Sequence, residues 1–138
     1  MKKYKRGYTT GVYDMFHIGH LNILENAKAQ CDYLVVGVTT DRLSMERKGK
    51  NPIIPEEERI RIVKAIRYVD EVVTQDDMDK LKAVKEIGAD VVFVGSDWKG
   101  TDSWNMYEKQ FKEIGCDVVY LDHTDGISSS ILRERLNL

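Results

Sequence analysis

Two imidazoles stand three residues apart near the start of the chain, in GVYDMFHIGH at positions 11–20. His17 and His20 flank Gly19 where an apolar strand-like run gives way to a helix-like one. A helix start carries unpaired backbone N–H groups and the positive end of the helix dipole, so it attracts anions. Two ring N–H donors added there would make a phosphate cradle. One capping and one packed histidine is the second reading. A metal pair is the third, because zinc helices usually space histidines four apart and no cysteine lies nearby. Gly11 is expected to leave room for a ligand to approach the backbone.

Three further stretches carry polar chemistry. ERKGK, positions 46–50, puts Arg47, Lys48 and Lys50 around Gly49 and reads as a mobile basic loop able to close over a polyphosphate; a solvated turn is its plain alternative. HTDGISSSILR, positions 123–133, places Ser128, Ser129 and Ser130 at a second helix start after a turn at Gly126. GSDWKG, positions 95–100, offers Asp97 to hold a hydroxyl or help place Mg²⁺, and Trp98 to stack or pack. No GxxxxGK[ST] or GxGxxG occurs, and no Ser-His-Asp or Cys-His arrangement suggests itself. The site reads as one built for a polyphosphate, without a covalent nucleophile.

The elements that would position these residues alternate along the chain. Strands are expected at 8–13, 33–40, 69–74, 91–95 and 117–121. Helices are expected at 19–30, from Pro55, from Met78 to Ile87 ending at Gly88, at 103–114, and from Ser128. Residues 41–51 read as a polar loop, and Ile62, Val63 and Ile66 as the buried side of the helix after Pro55. Short apolar strands alternating with amphipathic helices predict an α/β fold: a Rossmann-like doubly wound sheet of about five parallel strands with helices on both faces. Ligands bind such sheets outside the carboxyl ends of the strands, where all four polar stretches fall.

The 138 residues suit one domain, and no linker or repeat divides them. With 42% hydrophobic residues the chain can bury a core, and a net charge of −2 gives no global attraction to nucleic acid or to an anionic membrane. Cys31 and Cys116 each precede an apolar run and read as small core residues, which suits a reducing cytoplasm. The basic start MKKYKRGYTT lacks an apolar core, so no secretory signal is expected. No apolar stretch approaches a membrane span.

GVYDMFHIGH resembles the GxFDxxHxGH motif of the nucleotidyltransferase superfamily, and TDGISSS resembles the RTEGISTS motif of its cytidylyltransferase branch. RYVDEV, positions 67–72, is similar to the short glycerol-3-phosphate cytidylyltransferases. The resemblance implies one nucleotidyltransferase domain over residues 1–138. It implies CMP transfer from CTP to a phosphorylated small alcohol, glycerol 3-phosphate first, with pyrophosphate released, Mg²⁺ as cofactor and a homodimer as the assembly. By the same resemblance, CTP is expected at Gly11, Val12, Tyr13, His17, Gly19, His20, Lys50, Gly95, Asp97, His123, Thr124, Gly126, Ile127, Ser128, Ser129, Ser130 and Arg133. His17, His20, Lys48, Lys50 and Ser128 are the expected catalytic groups. Asp14, Lys48, Arg67, Lys80 and Trp98 are expected at the acceptor, and Asp14 or Asp97 as the protein ligand of a phosphate-borne Mg²⁺. Asp70 belongs to the stretch tied to dimer and acceptor.

The chain departs from the family pattern at Val12, at Tyr13 and at His123, where the family has arginine. Positions 101–115 are longer than in the glycerol-phosphate enzymes. Trp104, Tyr107 and Phe111 share one helix face there, expected to pack on the sheet, while Asp102, Ser103 and Asn105 in the first turn are candidates to wall the acceptor pocket. An adenylyltransferase on the same scaffold is the close alternative, because ISSSILR with Arg133 also resembles those enzymes. So is a cytidylyltransferase for another polyol or amino-alcohol phosphate. A regulatory nucleotide binder is the distant one, against which His17, His20 and Lys50 argue.

Overall fold

The computed structural model describes residues 2–137. Five parallel strands, β1 (Tyr4–Gly11), β2 (Cys31–Thr39), β3 (Glu71–Gln75), β4 (Val91–Gly95) and β5 (Asp117–Leu121), form one sheet in the order β3-β2-β1-β4-β5. The helices are α1 (Ile18–Lys28), α2 (Asp41–Lys48), α3 (Glu56–Lys64), α4 (Lys80–Ile87), α5 (Asp102–Glu113) and α6 (Ser129–Arg135).

Strand periodicity sorts the core into two halves. Leu34, Val36, Val38, Val91 and Phe93 point to the face covered by Leu24 and Ala27 of α1 and Val63 of α3. Val35 and Val92 point to the other face, against Val84 of α4 and Trp104 and Phe111 of α5. The aromatic stripe on α5 therefore packs as expected. Both cysteines are buried, Cys31 in the first half and Cys116 in the second.

The chain runs outward through β1, β2 and β3, then returns beside β1 to start β4. The connections leaving β1 and β4 diverge at that switch point and open a crevice at the carboxyl edge.

Three expectations need correction. The first strand begins at Tyr4 and ends at Gly11, because Tyr4 and Tyr8 are buried in spite of Lys5 and Arg6 between them. Residues 41–48 are not a loop but helix α2. Thr40 caps its start by accepting from the Leu43 N–H, and Gly49 ends it at φ 74°. The basic residues Arg47 and Lys48 are thus fixed on its last turn, and only Lys50 follows the glycine. On α3 it is Arg59 and Val63 that are buried, whereas Ile62 is exposed.

Candidate active site

The β1–α1 turn carries backbone strain. Tyr13 (φ 55°) and Met15 (φ 50°) both sit in the left-handed region, which costs a non-glycine residue about 1–3 kcal/mol. The residue between them holds the turn in place. Asp14 is buried, and its Oδ1 accepts from the Ile54 N–H (2.9 Å). Its Oδ2 accepts from the Ile53 N–H (2.8 Å) and from Arg133 Nη2 (2.9 Å), and its carbonyl accepts from Ser129 Oγ (2.6 Å). One carboxylate therefore ties the turn to the 51–55 segment and to α6.

The two histidines then cap α1 reciprocally. His17 Nδ1 accepts from the Gly19 N–H (3.1 Å), and His20 Nδ1 accepts from the His17 N–H (3.2 Å). The rings stack with centroids 3.8 Å apart. Because each Nδ1 accepts, the proton of each neutral ring sits on Nε2. Burial pushes the His20 imidazolium down to about 4, helped by its neighbour His17, and burial lowers His17 as well. Both rings are therefore neutral Nε2–H donors at pH 7. His17 Nε2 is buried and has no partner within the protein, a state that costs free energy unless a ligand completes it. Capping, weighed on the sequence as an alternative to ligand binding, uses only the Nδ1 atoms, so the opposite Nε2 atoms stay clear of it.

Two clefts open at the carboxyl edge. The first, of about 560 Å³, is bounded by Tyr13, His20, Lys50, Ser129, Ser130 and Arg133, with Asp14 at its base. The second, of about 430 Å³, lies over the ends of β1 and β4 and reaches Lys80, Gly95, Trp98 and the first turn of α5. Val12 and Lys48 line both. Desolvation lowers the Lys48 ammonium, with repulsion from Arg47, Arg133 and Lys50 adding to it. Burial brings Lys80 down to about 8; its ammonium donates to Thr10 Oγ1 (3.4 Å) and lies 5.7 Å from the Trp104 ring centre.

A family model described as Cytidylyltransferase-like matches residues 8–135, which includes every residue of both clefts. The chain belongs to the cytidylyltransferase-like family. It is 36% identical over 133 residues to the glycerol-3-phosphate cytidylyltransferase of Bacillus subtilis, covering 96% of this chain and 97% of that one. It is 41% identical over 132 residues to the FAD synthase of Pyrococcus abyssi, covering 91% and 88%. Among solved structures, a lipopolysaccharide core biosynthesis protein from Thermoplasma volcanium superposes with a TM-score of 0.72 at 28% identity, covering 88% of this chain and 97% of that one.

The remaining candidates in this cytidylyltransferase-like chain divide into supports and outliers. Ser128 is the N-cap of α6, accepting from the Ile131 N–H (3.0 Å), and lines neither cleft. Thr124 accepts from Asn22 on α1 (2.8 Å), and Ile127 approaches Gly19, so the 123–128 segment is pinned on α1. Gly126 turns it at φ 80°. His123 Nδ1 lies 3.3 Å from Asp97, joining the ends of β5 and β4 in solvent. Gly95 lines the second cleft rather than the first. Gly11 lines the second cleft, and a Cβ there would stand 3.0 Å from the Tyr13 ring. Arg67 is not brought to the site; it precedes β3, at the amino end of the sheet. Asp70 beside it accepts from the Leu34 N–H and pairs with Lys28 (2.6 Å).

Sequence reasoning missed Arg59. Its guanidinium is fully buried and donates to the carbonyls of Val12 (2.8 Å), Thr39 (2.7 Å) and Ile54 (2.8 Å) and to Asp41 Oδ1 (2.6 Å). It locks the ends of β1 and β2 to the segments that carry the cleft lysines. An arginine between Glu58 and Ile60 at core spacing with Val63 was the available signal.

For Mg²⁺ the donor set is thin. Asp14 has both oxygens engaged, and among the described residues no group of three or more His, Cys, Asp or Glu side chains could hold a metal. Asp97 remains open to solvent. That suits an ion carried on substrate phosphates and touched by one carboxylate, the usual way Mg²⁺ is bound.

Proposed function

We propose that this chain transfers CMP from CTP to a phosphorylated small alcohol, with glycerol 3-phosphate as the simplest acceptor. The observation that carries the reading is Lys48, which lines both clefts and so reaches a phosphate in either. The triphosphate belongs in the first cleft, against His17, His20, Lys50 and the serines of α6. The acceptor phosphate belongs in the second, against Lys80. An acceptor phosphate oxygen attacks the α-phosphorus, the bond to the β-phosphate oxygen breaks, and pyrophosphate leaves with the electron pair.

An ionised phosphate needs no general base, so the chain supplies alignment and charge stabilisation. The Nε2–H groups donate to oxygens that gain charge without themselves changing protonation. Mg²⁺ borne on the triphosphate would neutralise part of that charge. A homodimer completes the reading.

A second reading is adenylyl transfer, favoured by the likeness to an FAD synthase at 41% identity. No helix among the described residues is long and apolar enough to cross a membrane, in keeping with water-borne substrates. Pyrophosphate release with equimolar CTP and ATP tests the nucleotide: CMP transfer is expected to dominate, and dominant AMP transfer overturns it. Light scattering of the purified chain tests the dimer.

A further inference from the structure

Ser44 is the fourth residue of α2, only 3% exposed, and lines the first cleft. Its backbone N–H closes the first turn of the helix on the Thr40 carbonyl (3.0 Å), but its Oγ has no hydrogen-bond partner among the described residues. A buried hydroxyl without a partner costs free energy that an alanine at the same place would not. Packing of α2 therefore gives no reason for a serine here, and the cleft is the remaining one.

That cleft is cationic. Lys48 stands one turn along α2 on the same face, and Lys50 and Arg133 line the same cavity. Asp14, the one carboxylate lining it among the described residues, spends its oxygens on Ile53, Ile54 and Arg133. A hydroxyl set among cations has an anion as its natural acceptor. Ser44 also stands on one side of the partition: Val12 and Lys48 line both clefts, whereas Ser44 lines the first alone. In an in-line displacement the attacking and leaving oxygens lie on opposite sides of the reacting phosphorus. With the acceptor in the second cleft, a group confined to the first belongs to the leaving side.

We infer that Ser44 is a further phosphate ligand of this site, its Oγ–H donating to a β- or γ-phosphate oxygen of the nucleotide and then to the departing pyrophosphate. This rests on the nucleotidyl-transfer reading above and deepens it. When the bond from the α-phosphorus breaks, its electron pair goes to the pyrophosphate oxygen, and Ser44 adds one neutral donor to the cations that hold that charge.

Ser44→Ala and Ser44→Cys test it. Inorganic pyrophosphate, CTP and CMP are titrated calorimetrically into the full chain with Mg²⁺ present. Ser44→Ala should weaken pyrophosphate and CTP about tenfold, the size of one hydrogen bond to a charged oxygen, and CMP less than about twofold. Cysteine keeps the size of the side chain but is a weak donor, so Ser44→Cys should lose nearly as much. In steady state the KM for CTP should rise while the acceptor KM stays unchanged. Thermal unfolding of Ser44→Ala should match or exceed the parent, because no internal hydrogen bond is lost and alanine favours the helix. Pyrophosphate affinity within about twofold of the parent in Ser44→Ala overturns the inference. So does a Ser44→Cys chain that binds like the parent while Ser44→Ala does not, since bulk alone would then explain the serine. Equal weakening of CMP and pyrophosphate overturns it too. A parent that transfers AMP overturns the choice of nucleotide and leaves Ser44 to the pyrophosphate series; a parent that binds neither nucleotide nor pyrophosphate overturns both readings.

Discussion

Gly19→Ala separates the two duties of His17. Gly19 is the second residue of α1 and buried, and an added Cβ would stand 2.9 Å from His17 Cε1 and 3.0 Å from its Nδ1. The backbone is not what refuses the methyl group; the imidazole is. Alanine gains up to about 1 kcal/mol of helix propensity over glycine. The ring must swing away, which loses the 3.1 Å cap bond, worth about 1 kcal/mol, and strains its rotamer by a similar amount. These terms nearly offset, so stability should fall by about 1 kcal/mol or less. Activity should not survive as well. If the proposed function holds, the displaced Nε2–H no longer meets the phosphate, and loss of one such donor typically lowers kcat about 10²–10³-fold. Pyrophosphate release at saturating substrates, alongside thermal unfolding, measures both. His17→Ala should give a similar loss, and the double variant should lose little more, because both changes remove the same donor. A Gly19→Ala chain with kcat within about threefold of the parent and unchanged unfolding refutes the placement of His17 at the reacting phosphates.

Arg59→Met should cost about 3–5 kcal/mol in urea unfolding, since it strands a carboxylate and three carbonyls that one buried guanidinium satisfied; a loss below about 1 kcal/mol would mean the ends of β1 and β2 hold without it. Acid should destabilise the fold through His20. Its folded pKa of about 4 lies below the 6.5 of an open imidazole, so between these values the unfolded chain binds a proton the folded one refuses. Stability therefore falls as pH drops from 6.5 toward 4, by at most about 3 kcal/mol, and His20→Gln should flatten that slope. Lys80→Met should raise the acceptor KM about tenfold or more and leave the KM for CTP unchanged. In the parent chain the acceptor KM should climb above pH 8, as Lys80 loses its proton, and a profile flat to pH 9.5 would remove Lys80 from the acceptor phosphate.

Local pattern and spacing determine much of this molecule. β4 lies where the run VVFVG puts it, because a strand buried on both faces must be apolar, and β5 lies at DVVYL on the sheet edge, where Asp117 is exposed. Alternation of strands and helices leaves few topologies besides a parallel doubly wound sheet, and the spacing of His17 and His20 across Gly19 already marks a helix start. What escaped the sequence depends on partners far along the chain. Helix α2 buries Leu43 and Ser44 but has little apolar face, so periodicity passes over it; its signals were Thr40 and Gly49, a cap and a stop. Arg59 becomes a core residue only when carbonyls from positions 12, 39 and 54 converge on it. Asp14 carries the plain letter of a motif in the sequence, yet three donors from two distant segments consume its oxygens. Which nitrogen of each histidine caps α1 and which is left over is a matter of ring orientation. That choice is fixed by ring packing at 3.8 Å, not by composition. The meeting of two clefts at Lys48 likewise follows from the chain's return beside β1, which brings the ends of β1, α2 and β4 to one crevice.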